Sequence, residues 1–423
     1  MIRDSCSSNQ SISSQCAAAH ASWMGEKRHR RSSQSIFSPI TEIVSQLTLA
    51  VNTALAELSP ADDIPEATQY QLLDAIDKLR VAVAPPLLTI RNFCVAVTPW
   101  PGCHPSAMGM GIFDAFAGVN GAEMTAAELD EKTKGDKGLL VRIVRLLCAN
   151  YVFEETGVEK YKPLSLAMMF ASSSPPSEVI KHFYSDMKAS VYSHEYLKAR
   201  GYQNPQDAYD TPFQFAMGTK EHHFEWLQHN PEELHAFNVV MEIGNRSLEG
   251  VQWYDYYPWK ENLVASSDAD RVLLVDIGGD NERLIVQDLP KIIEDITEPL
   301  LEGIEAIGYN MFDPQPVRGA KAYYLRTVLH DWPDKQALQA LARVREAMAA
   351  DSVLLINENV LPESGVSGFS ASMDIIMEIY GALERTEKQW LQLLDQAGFK
   401  VVKVWRSDFQ GVGSNALFEA VPN

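Results

Sequence analysis

The sequence predicts an α/β domain behind a helical N-terminal half, and three observations carry that prediction. After residue 270, strand-like apolar runs ("RVLLVDI", "RLIVQD", "EAIGYNMF", "KAYYLRTVL", "SVLLINENV") alternate with helical segments such as "PDKQALQALARVREAM" and "TEKQWLQLLDQAG". That alternation builds a sheet with helices on its faces. The last two runs, "FKVVKVWRS" and "NALFEAV", follow one another without a helix between them and read as antiparallel edge strands. Before residue 262 the apolar positions fall at helical spacing instead.

Composition narrows the partners. The chain has 423 residues, 46% hydrophobic and 22% charged, which fits a globular protein of two or three domains. A formal net charge of −20 argues against nucleic acid and anionic membranes. No apolar run reaches the roughly 18 residues of a membrane span. Five scattered cysteines without a CxxC pair read as reduced thiols of a cytoplasmic protein, and Met1–His20 lacks the apolar core of a signal peptide. None of the ten histidines shows metal-ligand spacing beyond "EHH" at 221–223, which reads as surface, so no metal is expected.

In chain order, residues 1–38 read as a disordered polar tail with a basic "KRHRR" at 27–31. Residues 39–175 read as a helical unit. "ITEIVSQLTLAVNTAL" sets Ile40, Ile43, Val44, Leu47 and Val51 on one stripe, and "QLLDAIDKLRVAV" repeats the pattern. Such a stripe packs against a second subunit or within the chain. "MTAAELDEKT", with Thr125 and Glu128 placed for a capping box, and "LLVRIVRLLCANYVFEET" then give two helices and a hairpin, the pattern of a winged helix. Residues 176–423 read as a further unit, helical at first and α/β after residue 270. Its first part is rich in aromatics. Phe224, Trp226, Phe237, Met241 and Trp253 are candidates for an aromatic-tolerant pocket wall, with core packing as the alternative for each.

The chemistry-bearing residues cluster at strand ends. "VDIGG" places Asp276, Gly278 and Gly279 where α/β sheets bind nucleoside ligands. Asp288 ends the next strand, where an acid accepts from ribose hydroxyls or caps a helix. His330 follows a buried strand in "YYLRTVLHDWPD", ahead of a helix with Pro333 and Asp334 in its first turn. An imidazole there faces the crevice at the carboxyl end of the sheet and suits a general base. Glu358 in "INENVLPE" and Glu384 in "LERTEKQW" add two carboxylates able to orient it.

Taken together, these stretches resemble the fungal and plant-type S-adenosylmethionine-dependent O-methyltransferases, the family that includes caffeic acid O-methyltransferase. The likeness covers roughly residues 40–423. It rests on "FEWLQHNPEELHAFNVVM", "VDIGG", "RLIVQDLP", "NMFDPQPVRGAKAYYLRTVLHDWPD", "INENVLPE" and "ERTEKQW", in family order. The resemblance implies a Rossmann-like class I methyltransferase domain behind a winged-helix dimerisation domain, S-adenosylmethionine as cofactor, and a homodimer. It implies His330 as general base, flanked by Glu358 and Glu384. Asp288 would hold the cofactor ribose, Asn310 and Met311 would lie beside the adenine, and Arg326 would lie near the cofactor. Phe237 and Met241 match substrate-pocket positions. The implied reaction is methylation of a hydroxyl on a small aromatic or polyketide-type secondary metabolite.

One departure stands out. Relatives continue from "VDIGG" through a further Gly-rich turn and a whole helix before the next strand. Here only residues 278–283 intervene. Parallel neighbours need a crossover of about a dozen residues, and six residues at about 3.5 Å each barely retrace one strand length. The sequence therefore predicts an antiparallel hairpin at "GGDN", or the loss of one strand from its family position. Three readings follow: an O-methyltransferase whose gap reflects a splice variant, a wrong gene model or a recent deletion; a scaffold reused for pericyclase- or dehydratase-like chemistry; and a non-catalytic, cofactor-deficient pseudo-methyltransferase.

Overall fold

The computed structural model describes residues 39–57, 64–95, 98–247, 252–265, 267, 271–277, 284–294, 296, 299–300, 303–406 and 415–423. The tail expected over 1–38 and the glycines Gly278 and Gly279 lie outside these residues. The chain divides into two compact units, Met1–Ala82 and Val83–Asn423.

The first unit holds helix α1 (Pro39–Glu57) and nearly all of α2 (Glu66–Val83). The predicted stripe is present on α1, yet Ile43, Val44, Leu47 and Val51 remain 39–61% exposed; Leu72, Leu73 and Ile76 of α2 are exposed as well.

The second unit opens with α3 (Pro86–Val95), α4 (Trp100–Met110) and α5 (Ile112–Ala117). Strand β1 (Met124–Thr125) leads into α6 (Ala126–Lys132) and α7 (Lys137–Ala149), and β2 (Phe153–Gly157) and β3 (Lys160–Pro163) follow. These strands form an antiparallel sheet of order β1-β3-β2. The capping box forms as expected: the Glu128 N–H donates to Thr125 Oγ1 at 3.2 Å, and the Thr125 N–H donates to Glu128 Oε2 at 2.7 Å. Phe113, Phe116, Leu140, Val144, Leu147 and Phe153 close a core of their own. Beyond α8 (Ser165–Met168) come α9 (Ser177–Ala199), α10 (Pro212–Met217), α11 (His223–Gln228), α12 (Pro231–Ser247) and α13 (Trp253–Tyr256).

The large sheet contains β4 (Leu274–Ile277), β5 (Leu284–Asp288), β6 (Glu305–Gly308), β7 (Ala322–Arg326), β8 (Val353–Leu361), β10 (Phe399–Arg406) and β11 (Asn415–Pro422), in the order β10-β11-β8-β7-β4-β5-β6. The short β9 (Arg385–Thr386) pairs with the end of β8. Strands β6, β5, β4, β7 and β8 are parallel; β11 runs antiparallel to β8 and to β10, as the sequence predicts. Side chains alternate between two buried faces. Val275, Tyr323, Leu325, Leu354 and Ile356 pack with helices α15 (Asp334–Ala347) and α17 (Glu387–Gln396), which follow α14 (Pro290–Glu294) and flank α16 (Gly368–Glu378). Leu274, Leu284, Ala322, Tyr324 and Leu355 pack with Tyr257 and Leu263 on the other face.

"GGDN" lies outside the described residues, but the antiparallel pairing expected of the strands on either side of it is not found. β4 and β5 pair in parallel, Leu274 with Leu284 through Ile277 with Gln287, and both sit inside the sheet. The register explains why six residues suffice. The distance to return is only the length of a four-residue strand, about 10 Å at a rise of about 3.3 Å per residue. Burial on both faces favours a central parallel position over a two-stranded ribbon.

Candidate active site

The order of strands reverses between β4 and β7: β5 and β6 lie on one side, β8 on the other. In open α/β sheets such a switch point opens a crevice beyond the strand ends. Arg326 ends β7 there. Thr327 follows in the left-handed region, at φ 48°. A β-branched residue is strained at that angle by about 1–3 kcal/mol, and such strain gathers at functional turns. The chain then enters a single 3₁₀ turn, Leu329–Asp331, which carries His330.

Two buried side chains shape that turn. Glu358 is fully buried, and its Oε1 accepts from the backbone N–H groups of Val328 at 3.1 Å and Leu329 at 2.9 Å. Arg385, 1% exposed, donates to the carbonyls of Leu329 and Trp332 and to Asp334 Oδ1. Glu384, one residue earlier, meets the ring itself: Oε1 lies 3.0 Å from His330 Nδ1. Asp331 Oδ1 stands 3.6 Å from Nε2, too far for a hydrogen bond. The ring therefore donates through Nδ1 to Glu384, and Nε2 is left to exchange a proton.

The electrostatics follow from this crowd of acids. Burial works against charge on His330, but Asp331, Glu358 and Glu384 outweigh it and raise the imidazole to about 10. Burial lifts Glu358 to about 7 and Asp331 to about 6, against the pull of His330 on each.

The other predicted residues divide by position. Asp276 is buried near the end of β4. Asp288 ends β5, partly buried; burial raises its carboxyl, while the N–H of Leu289 donates to Oδ1 at 2.6 Å. Asn310 and Met311 follow β6, with Met311 packed against the core beneath. Phe224 and Phe237 meet edge to face at 5.8 Å, and Phe224 lies 6.2 Å from Trp332, two residues beyond His330. Trp226 packs edge-on to Phe213, 5.5 Å away. Met241 is on α12 and 43% exposed. Trp253 does not join this group. It packs on Tyr324 at 5.1 Å, against the opposite face of the sheet from Phe224. Its short helix covers that face, which spacing along the chain does not disclose.

A family model described as the O-methyltransferase domain matches residues 280–400. O-methyltransferase mfmE of Annulohypoxylon moriforme is 33% identical over 348 residues, 74% of this chain and 85% of that protein. Demethylsterigmatocystin 6-O-methyltransferase of Aspergillus flavus is 33% identical over 324 residues, 72% and 82% of the two chains. Among solved structures, LepI in complex with SAM superposes with a TM-score of 0.76 at 26% identity, covering 90% of this chain and all of that one. The chain belongs to the S-adenosylmethionine-dependent O-methyltransferase family.

S-adenosylmethionine carries ribose hydroxyls, which call for an acceptor, and a carboxylate, which calls for a donor; Asp288 and Arg326 have the chemistry for these two needs. Asp288 ends its strand, and among the described residues only burial and the Leu289 N–H act on its carboxyl. Arg326 Nε is buried without a hydrogen-bond partner among the described residues, a state that costs free energy until a polar group meets it. Arg385 and Asp331 are residues of the site that sequence reasoning missed. Both adjoin predicted positions, Glu384 and His330, and that adjacency is the only signal.

Proposed function

We propose that this protein transfers a methyl group from S-adenosylmethionine to a hydroxyl of a small aromatic or polyketide-type secondary metabolite, with His330 as general base. The observation that carries the reading is the 3.0 Å contact between Glu384 and His330 Nδ1 at the end of a central parallel strand. It dedicates Nε2 to the substrate hydroxyl. S-adenosylmethionine, when bound, supplies an electrophilic methyl on a positively charged sulfur. Asp288 would hold the ribose, Asn310 and Met311 would lie beside the adenine, and Asp276 and Arg326 would serve the remainder of the cofactor. His330 Nε2 takes the hydroxyl proton, and Glu384 stabilises the imidazolium that results. Burial opposes charge on the imidazole, but the surrounding carboxylates raise it above its ordinary value, which strengthens it as a base toward a hydroxyl proton. Phe224, Trp226, Phe237 and Met241 supply an apolar wall for a flat substrate. The relative named for 6-O-methylation of demethylsterigmatocystin supports a secondary metabolite as acceptor.

In this reading residues 39–175 are a winged-helix dimerisation domain, supported by the α6–α7 pair followed by the β2–β3 hairpin and by the uncovered apolar residues of α1 and α2. Residues 176–423 are the catalytic domain.

Titration calorimetry with S-adenosylmethionine tests the cofactor, and a panel of hydroxylated aromatics with methyl-labelled cofactor tests the reaction. Micromolar binding with label on oxygen is expected. Turnover of a hydroxyarene without cofactor binding would establish reused chemistry instead, and absence of both would mark a pseudo-methyltransferase.

A further inference from the structure

Glu384 orients His330 only while its own carboxylate is held. β9 runs parallel to the end of β8 with Arg385 opposite Val360, and that register sets the preceding residues, Asn359 and Glu384, side by side. Asn359 Nδ2 donates to Glu384 Oε2 at 3.0 Å, while Oε1 lies 3.0 Å from His330 Nδ1. Only the amide NH₂ can face a carboxylate oxygen, so chemistry decides which way the Asn359 amide points. The backbone N–H of Glu384 donates to Asp374 Oδ1 at 3.0 Å, fixing the main chain at the same point. With the Glu384 side chain only 5% exposed, solvent contributes little to holding it.

We infer that Asn359 is a positioning residue for methyl transfer: it locks the Glu384 carboxylate in the orientation that holds the His330 ring. The inference rests on the functional reading above and adds to it a residue outside the His330, Glu358 and Glu384 set. A neutral donor is the group this place requires. An apolar residue would free the carboxylate to rotate, and an acid would set two carboxylates side by side. The charges that face the ring come from every neighbouring element: Asp331 on its own turn, Glu358 on β8 and Glu384 ahead of β9. Arg385 is turned away to Asp334 and the turn carbonyls, and Asp374 is engaged by a backbone N–H, so neither answers Glu384 in place of Asn359.

The test compares Asn359→Leu and Asn359→Asp in the full chain, each first shown to be folded by circular dichroism. The direct readout is the imidazole ¹⁵N titration of His330 without cofactor. Asn359→Leu loosens the Glu384 contact and moves the His330 titration to lower pH. Asn359→Asp adds a negative charge and moves it to higher pH. In turnover, Asn359→Leu lowers kcat by about 10- to 100-fold, the cost of a misplaced base, with the KM of S-adenosylmethionine unchanged. Opposite shifts are expected, because a merely structural asparagine would lower the melting temperature in both variants and leave the titration in place. An unmoved His330 titration in both folded variants overturns the inference whatever the activity. Opposite titration shifts in a protein that transfers no methyl group overturn the functional reading and leave the positioning role standing.

Discussion

Burial works against charge on the His330 ring, and three carboxylates work for it, so the ring carries its proton at neutral pH. Proton abstraction requires the neutral ring. We therefore expect kcat/KM to rise about tenfold per pH unit through the neutral range and to level off toward pH 10; a flat profile between pH 6 and 9 would contradict His330 as base. The same shift has a stability sign. The folded value lies above the ordinary 6.5, so this contribution is full below about pH 6.5 and is lost as pH rises through about 10. His330→Ala should cut kcat by about 10²–10⁴-fold and leave the far-ultraviolet circular dichroism intact. The turn is held by Glu358 and Arg385 through its backbone, not by the imidazole. Loss of the folded signal in this variant would show the ring to be structural. At this scale the sequence disclosed the residue types but not their division of labour. Glu358 and Glu384 read alike, yet one bonds the main chain and the other bonds the ring.

The strand ends are set by an element-level clamp at the opposite edge of the sheet. Arg271, ahead of β4, donates to the carbonyls of Gly319 and Ala320 before β7, and to Asp351 and Ser352 before β8. It thereby holds three parallel strands in register at their amino ends. Arg271→Ala should destabilise the protein by about 2 kcal/mol, as loss of hydrogen bonds from a charged group to buried carbonyls does; urea unfolding measures it, and an unchanged midpoint would refute the clamp. The hydrogen bond from Arg271 holds Asp351 down to about 2, so its share of stability is present above the ordinary carboxylate value and is lost as pH falls through about 2. Strands, helices and their types were legible because two-sided burial leaves apolar runs and helical faces leave a 3.6-residue period. The β4–β5 pairing was not. A six-residue loop is too short for a crossover through a helix, but the four-residue register demands far less chain.

For the whole molecule, the apolar residues left open on α1 and α2 bear on assembly. Leu47, Val51, Leu73 and Ile76 are 39–57% exposed, a density that globular surfaces seldom leave uncovered. We expect a dimer by light scattering after gel filtration, and a monomer from the pair Leu47→Glu and Ile76→Glu; a wild-type monomer at micromolar concentration would remove the dimerisation reading. Among the described residues no helix is long and apolar enough to cross a membrane.

The sequence by itself determined the α/β character of the chain, the family, and the residue types at the strand ends, because these are written in local periodicity and short motifs. Only the tertiary structure decided that Glu384 rather than Glu358 touches His330, that Asn359 stands behind it, that Trp253 belongs to the other face, and that β4 and β5 run parallel. Each of these depends on which residues distant in the chain are brought within about 3 Å of one another, or onto one side of a sheet. Strand register makes that choice through packing on both faces, and no spacing along the chain records it.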